Sequence, residues 1–208
     1  MFYGRSGGWT IKEEARFGGD WRVVSGDASP QGTFASGRAE LAAMNVRFIN
    51  PFITAVQHVF TTMLKTEIII SKPYLKSEDD RNTDVSAIIG FTGGAVGSVA
   101  LCFPMRTAVA TASKFAGVEL SKDDADFADA LGELANMVAG QAKAKLHGLD
   151  ISVSLPRVVV GEKLNVLNSK QQPVLGLPCD SALGRFAVEV TMKVVQGAAT
   201  PEPAAAAS

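Results

Sequence analysis

The chain has 208 residues, of which 47% are hydrophobic and 20% are charged, so it is long enough to bury one full core. Its formal net charge of -1 gives no basic surface of the kind that attracts nucleic acid or anionic lipid. No apolar run approaches the roughly 20 residues of a transmembrane helix, and we therefore expect a protein without nucleic-acid or membrane partners.

The few cysteines and histidines argue against a disulfide framework or a metal site. Cys102 and Cys179 lie far apart in apolar runs and not in CxxC spacing. The sequence has two histidines, His58 and His147, which are too few for a metal cage. Two reduced thiols in a cytoplasmic protein are therefore predicted.

Both ends of the chain differ in composition from the middle. Residues 1–43 are rich in glycine and serine and show neither a helical nor a strand period, so we expect a disordered leader or a non-native extension. Residues 197–208 form a Pro/Ala tail with too little bulky apolar surface to fold. Residues 44–196 remain as one folded domain.

The first half of this domain begins with a helix and continues with strands. Pro51 suits the first turn of the helix. Its apolar face is predicted to comprise Phe52, Val56, Val59, Phe60 and Met63. The stretch TEIIISKPYL predicts a strand that closes at Pro73, and the pair Gly93-Gly94 predicts the turn of a hairpin between two longer strands.

Two helices and three strands are predicted after the hairpin. Pro104 begins the first of these helices and Gly117 ends it. The second runs through DADFADALGELANMVAGQAKAKLHG, where Ser121 and Asp124 have the spacing of a capping box and lysines before Gly148 suit the carboxyl end. Strands are predicted at DISVSLP, PVLGLPC and GRFAVEVTMKVV.

The order of these elements repeats along the chain. EIIISKP (67–73) matches DISVSLP (150–156), and AVGSVAL (95–101) matches ALGRFAV (182–188) at nearly the same offset. Each copy is predicted to be a helix-strand-hairpin unit, and one copy alone leaves a sheet face bare. We predict an α+β fold in which two pseudo-twofold copies form a mainly antiparallel sheet with helices packed on it. Chance similarity between short strands is the alternative.

The long second helix separates into two faces at 100° per residue. Its core face is predicted to consist of Phe127, Leu131, Leu134, Ala135, Val138 and Ala142. Its polar face is predicted to consist of Asp129, Glu133, Asn136, Gly140 and Lys143, with Gly132 beside it. Each glycine costs the helix about 1 kcal/mol relative to alanine, which suggests that bare backbone admits another protein's surface. A solvated face with a glycine for helix packing is the alternative.

Other motifs have simpler structural interpretations. GFTGGAVG follows a strand, but another strand comes next and no GK[ST] is present, so it predicts a hairpin and not a phosphate-binding loop. AGQAKAKLHG is a helix end with cations on the helix dipole rather than a catalytic lysine site. The serines, histidines and aspartates have no spacing that indicates a nucleophile.

The segment DALGELANMVAGQAKAKL, followed by DISVSLPRVVVG, resembles the CheX branch of the CheC/CheX/FliY group of bacterial chemotaxis phosphatases. The resemblance covers about residues 44–195. The hallmark of the group is an acid or serine, three residues, Glu, two residues, Asn and a downstream proline, which here are Asp129, Glu133, Asn136 and Pro156. Pro156 lies a few residues closer to Asn136 than in the family pattern.

The resemblance implies a hydrolase that removes the aspartyl phosphate of a phosphorylated CheY-like receiver domain. Asn136 would orient the attacking water, because an amide donates and accepts hydrogen bonds without bringing negative charge to the phosphoryl group. Glu133 would contact the receiver's active-site lysine and complete the catalytic pair. Asp129, Gly132 and Gly140 would contact or admit the receiver surface. The protein would need no cofactor of its own, since the receiver supplies Mg²⁺.

The resemblance also bears on the number of sites and on assembly. The CheC pattern carries the motif in both halves, whereas the repeat here places Asn50 and Ile53 opposite Glu133 and Asn136. One site per chain is therefore predicted, as in CheX. A homodimer is also implied, for which the alternating terminal segment RFAVEVTMKVV is suitable edge-strand material. An ordinary covered strand explains that segment equally well.

A non-catalytic module that binds receivers, or that resembles a flagellar-switch component, is the alternative function, because fold does not determine function. The amide of Asn136 favours catalysis, since a pure binding module has no need of it. A small-ligand sensor on the same sheet lacks support, because no polar cluster in the sequence marks a pocket.

Overall fold

A computed structural model describes residues 48–77, 83–166 and 172–195 of the chain. The expected leader at residues 1–43 and the expected tail at residues 197–208 lie outside the described residues. In the described ranges the helices are α1 (Asn50–Met63), α2 (Met105–Ala116) and α3 (Ala125–Lys145). The strands are β1 (Ile68–Ile70), β2 (Tyr74–Leu75), β3 (Thr83–Gly93), β4 (Ala95–Phe103), β5 (Ile151–Val153), β6 (Arg157–Leu164), β7 (Leu175–Ser181) and β8 (Gly184–Val194).

Helices α1 and α2 begin and end close to their predicted positions. Pro51 occupies the first turn of α1, where its missing N–H leaves no helical hydrogen bond unmade. Helix α2 follows Pro104 and ends at Gly117, whose φ of 73° lies in the left-handed region that favours glycine.

One residue was assigned wrongly to the apolar face of α1. The face is formed by Phe52, Val56, Val59 and Phe60, which are all buried. Met63 is 46% exposed, whereas Leu64 is fully buried. The reason is that α1 ends at Met63, so the helical period no longer decides which side chain points into the core.

Helix α3 has the predicted core face, but its start is not the predicted capping box. All six predicted core residues are buried: Phe127, Leu131, Leu134, Ala135, Val138 and Ala142. The capping residue is Asp124 rather than Ser121, because a turn of residues 121–124 precedes the helix. The backbone N–H of Ser121 donates to Oδ2 of Asp124 at 2.6 Å, and this bond lowers the pKa of the Asp124 carboxyl below its ordinary value.

The strands form one antiparallel sheet in the order β1-β7-β8-β4-β3-β5. Strand β2 also pairs with β7, and β6 also pairs with β3. The predicted hairpin joins β3 to β4 at Gly93, which has a φ of 106°. A side chain at Gly93 would collide with the carbonyl oxygen of Asp150, so glycine is required there for two reasons.

The sheet has the predicted pseudo-twofold arrangement of two helix-strand-hairpin units. The hairpins β3–β4 and β7–β8 meet at its centre through the pairing of β4 with β8. The first unit sends β1 and β2 to strand β7 of the second unit, and the second unit sends β5 and β6 to strand β3 of the first. The two units therefore exchange their outer strands, so that each completes the sheet of the other.

Three strands differ from, or decide between, the interpretations of the sequence. The chain re-enters the sheet after Pro73 as β2, because the next residues pair with β7. Strand β6 was not predicted, although its RVVV run is rich in β-branched residues. The segment RFAVEVTMKVV forms β8, which pairs with β4 and β7 on its two sides, so it is the ordinary covered strand of the stated alternative and not edge material for a dimer.

The two faces of the sheet are covered differently. Apolar residues of all three helices join the main core on one face. On the other face Cys102 packs with Ala100 and Val174, near a buried ion pair in which Nζ of Lys76 lies 2.6 Å from Oε1 of Glu189. Cys102 is a free thiol, as predicted, and burial and the charge of Glu189 raise its pKa to about 12. Cys179 is also a buried free thiol, and burial likewise raises its pKa to about 12.

Candidate functional site

One row of residues along α3 contains Gly132, Asn136 and Gly140 at intervals of four, so the three positions lie one above another. Gly132 is buried, and a Cβ atom built on it would lie 3.5 Å from Cγ of Pro156. Gly140 is exposed, and a Cβ atom there would meet nothing within 4 Å. Asn136 is half-buried and lies between these two glycines. One turn before it, Pro156 packs against Gly132, and one turn after it, Gly140 leaves the helix surface bare.

Two acidic residues lie beside this row. Glu133 is three residues before Asn136, and Asp129 is four residues before Glu133, so all three side chains are neighbours on the helix surface. Asp129 and Glu133 are exposed. Within the described ranges, none of the three side chains makes a hydrogen bond or an ion pair. The amide and both carboxylates are therefore available to a partner without first breaking an internal bond.

Pro156 reaches α3 because of the way the sheet is built. It lies between β5 and β6, which both pair with β3. Strand β6 also places Val158 against the helix, since Cγ2 of Val158 would lie 3.7 Å from a Cβ atom on Gly132. The structure therefore brings Pro156 next to the helical part of the family pattern.

Gly132 has a different role from the predicted one. We expected it to leave room for a partner's surface, but its free side is filled by Pro156 and Val158 of the same chain. This contact depends on β6, which the sequence analysis did not identify as a strand. The RVVV run directly after Pro156 was the signal that could have revealed it.

The corresponding positions of the first unit form no second site. Asn50 is the first residue of α1, and its backbone oxygen accepts a hydrogen bond from Thr54. Ile53 packs against the main core. The position that aligns with Asn136 is therefore occupied by a half-buried aliphatic side chain.

The candidate site lies on the surface of α3, where Asp129, Glu133 and Gly140 are exposed. A cavity of about 290 Å³ lies elsewhere, lined by strand residues that include Cys102, Arg185 and Glu189 and by none of α3. The described residues contain no group of three or more His, Cys, Asp or Glu side chains that could hold a metal ion. Nor does any helix among them have the length and apolarity to cross a membrane. A half-buried amide beside two exposed carboxylates on a helix surface suits a protein substrate that docks onto it.

Known proteins are similar to this chain in sequence. The family model described as chemotaxis phosphatase CheX matches residues 85–180. The CheY-P phosphatase CheX of Thermotoga maritima is 32% identical over 126 residues, which are 59% of this chain and 81% of that protein.

Solved structures with the same fold are also similar in sequence. A chemotaxis protein CheX from Desulfovibrio desulfuricans has a TM-score of 0.65 and 32% identity, covering 70% of this chain and 99% of that one. A chain of the CheX–CheY–BeF₃–Mg²⁺ complex from Borrelia burgdorferi has a TM-score of 0.60 and 28% identity, covering 70% of this chain and 97% of that one.

Proposed function

Because this chain belongs to the CheX family of chemotaxis phosphatases, we propose that it hydrolyses the aspartyl phosphate of a phosphorylated CheY-like receiver domain and thereby ends its signal. The observation that carries the proposal for this chain is the position of Asn136. Its side chain makes no internal hydrogen bond and projects from the part of α3 that the family pattern marks.

Asn136 is assigned the orientation of the attacking water. An aspartyl phosphate is an acyl phosphate, so catalysis consists mainly of positioning and electrostatics. The amide oxygen accepts a hydrogen bond from the water, which then attacks phosphorus in line with the aspartyl oxygen. The bond from phosphorus to that oxygen breaks, and inorganic phosphate and the free carboxylate of the receiver are formed. An amide suits this role because it brings no negative charge against the phosphoryl group.

Glu133 is assigned to docking and orientation. Its carboxylate is exposed and has no cation of its own among the described residues, so it can pair with the active-site lysine of the receiver. Asp129 lies one turn further along and is a candidate contact at the edge of the interface. Gly140 leaves the helix bare on the other side of Asn136, where the receiver can approach the backbone closely.

The remaining parts of the proposal concern the setting of the reaction. We assign the Mg²⁺ to the receiver, in which it balances phosphoryl charge, and no cofactor to this chain. We place the reaction in the cytoplasm, where phosphorylated receivers occur, and we propose a homodimer. Since β8 is paired on both sides, a dimer that extends the sheet must use an outer strand. Sedimentation velocity measures whether the protein is a monomer or a dimer.

The first test of the function is the variant Asn136→Ala. We expect the saturated rate of phosphate release from a phosphorylated receiver to fall about 100-fold or more, because a positioned hydrogen-bonding group acts mainly in the transition state. Binding of the receiver should change little. Gln141→Ala removes an exposed amide from another side of α3 and serves as the matched control. Turnover near that of the wild type in Asn136→Ala would rule out the assigned role.

The second test is the variant Glu133→Ala. Loss of a docking ion pair should raise the receiver concentration for half-maximal rate at least about tenfold and leave the saturated rate close to normal. Glu119→Ala, which removes an exposed carboxylate outside α3, is the control. A fall in the saturated rate alone would show that Glu133 does not act in docking. Binding of the receiver without any acceleration by the wild type would identify a non-catalytic module instead.

A further inference from the structure

The edge of the sheet next to the site contains a β-bulge. Strands β5 and β6 both pair with β3, with Val153 opposite Phe91 and Arg157 opposite Ile88. The three residues between Val153 and Arg157 therefore face only two residues of β3, and such a bulge changes the direction of the side chains that it carries. Its middle residue, Leu155, is 88% exposed.

The bulge is held on both sides. The backbone N–H of Ser154 donates to the carbonyl oxygen of Gly90 at 2.9 Å, and the N–H of Gly90 donates to Oγ of Ser154 at 3.0 Å. The Ser154 hydroxyl in turn donates to the carbonyl oxygen of Leu155 at 2.9 Å. On the other side, Pro156 packs against Gly132 of α3. The backbone of Leu155 is thus fixed, while its side chain extends into solvent.

The first unit of the repeat provides an internal comparison. There Ile70 is opposite Cys179 and Tyr74 is opposite Gly176, so three residues again face two. The middle residue of this second bulge is Lys72, which is exposed. Lys72 of the first unit and Leu155 of the second unit thus occupy equivalent positions. The first unit, which lacks the Glu and Asn pair, has a cation there, and the second unit, which has the pair, has an exposed leucine. Single exposed leucines are common on protein surfaces. Leu155 points to a function because it lies in the bulge next to the helix that carries Asn136.

Leu155 lies within the area that a docked receiver must cover. Consecutive Cα atoms are about 3.8 Å apart and one helical turn rises about 5.4 Å, so Pro156 keeps Leu155 close to the turn that carries Asn136. A specific protein interface buries about 800 Å² of each partner, which is a patch roughly 30 Å across. A patch of that size around Asn136 includes Leu155.

We propose that Leu155 is an apolar anchor for the receiver domain, held by the bulge beside the reacting amide. This inference rests on the proposed function and adds a residue to it. Glu133 and Asn136 supply polar contacts, and neither of them buries apolar surface when the receiver docks. An exposed aliphatic side chain on a fixed backbone adds affinity when the receiver covers it, because apolar surface leaves water and the backbone needs little further ordering.

The test compares Leu155→Ala with Ile69→Ala in the full-length protein. Ile69 is 73% exposed on β1 at the opposite edge of the sheet, so its variant removes a similar aliphatic surface away from the site. We expect Leu155→Ala to raise the half-saturating concentration of phosphorylated receiver about tenfold and to leave the saturated rate unchanged. The dissociation constant for the receiver with beryllium fluoride and Mg²⁺ should rise equally. Ile69→Ala should change neither quantity.

Further outcomes separate this inference from the function on which it rests. Leu155→Met keeps the apolar volume and should restore binding, whereas Leu155→Asp should weaken it further. Unchanged affinity in Leu155→Ala, together with a large loss of turnover in Asn136→Ala, would overturn the inference and leave the function intact. A changed sedimentation coefficient in Leu155→Ala would also overturn it, since the leucine would then contact a second copy of this chain. Normal turnover in Asn136→Ala would instead remove the function itself.

Discussion

Two glycines of α3 lie four residues on either side of Asn136 and differ in what surrounds them. Gly132 faces Pro156 and Val158 of its own chain, whereas Gly140 faces solvent. The first is therefore a packing residue of the scaffold. The second leaves the helix surface beside Asn136 bare, and under the proposed function a side chain there would compete with the receiver for space.

This difference predicts separate effects of two alanine variants. Gly132→Ala and Gly140→Ala should each raise the free energy of unfolding by up to about 1 kcal/mol, because alanine restricts the unfolded chain and favours the helix. The added Cβ of Gly132→Ala fits at ordinary contact distances of 3.5 to 3.7 Å. Only Gly140→Ala should raise the half-saturating receiver concentration. Urea unfolding and phosphate release measure the two effects, and equal kinetics in both variants would contradict the assignment of Gly140.

Strand β8 and the end of β2 are connected by a buried ion pair on the sheet face opposite the helices. Nζ of Lys76 lies 2.6 Å from Oε1 and 2.7 Å from Oε2 of Glu189, and the two side chains are 3% and 4% exposed. Two charges removed from water in this way depend on each other, since removal of the Glu189 charge leaves the Lys76 ammonium with its desolvation cost and without this counter-charge.

Removal of one member of this pair should therefore be costly. Glu189→Gln is expected to lower the free energy of unfolding by roughly 3–5 kcal/mol, and the double variant Lys76→Met, Glu189→Leu should recover most of the loss. The exposed pair of Arg185 with Asp180 is the control, and Asp180→Asn should cost less than about 1 kcal/mol. Denaturant unfolding of the four proteins checks this. Equal losses in Glu189→Gln and Asp180→Asn would show that burial does not decide the effect.

The elements that the sequence predicted well are those whose signal is local. The core face of α3, the turn at Gly93 and the end of α2 at Gly117 all follow from a period or from a single glycine. Strand β6 and the contact of Pro156 with Gly132 were missed because both depend on pairing with β3, which is distant in sequence. The helix face with Glu133 and Asn136 could be predicted from helical periodicity and from the family resemblance. The bulge at Leu155 could not be predicted, because it depends on the registers of β5 and β6 on β3.

The whole molecule is built by reciprocal exchange of outer strands between its two units. Strand β7 is completed by β1 and β2, and β3 is completed by β5 and β6. The centre of the sheet, where β4 meets β8, also joins one unit to the other. Neither unit therefore contains a complete sheet of its own.

This arrangement predicts that the halves fold only together. Fragments 44–120 and 121–196 should each lack cooperative unfolding when expressed alone, because each leaves paired strands and apolar surface uncovered. Their mixture should regain the circular dichroism spectrum and some phosphatase activity of the intact domain. A cooperative thermal transition in either fragment by itself would contradict the interdependence of the units.

The strand exchange has a consequence for how such a duplicated protein can diverge. A copy that loses its chemistry is still needed, since its neighbour cannot close its own sheet without it. In this chain α1 has Ile53 where α3 has Asn136, and β1 and β2 still pair with the far hairpin. Both copies are thus needed to close the sheet, whichever of them carries the chemistry.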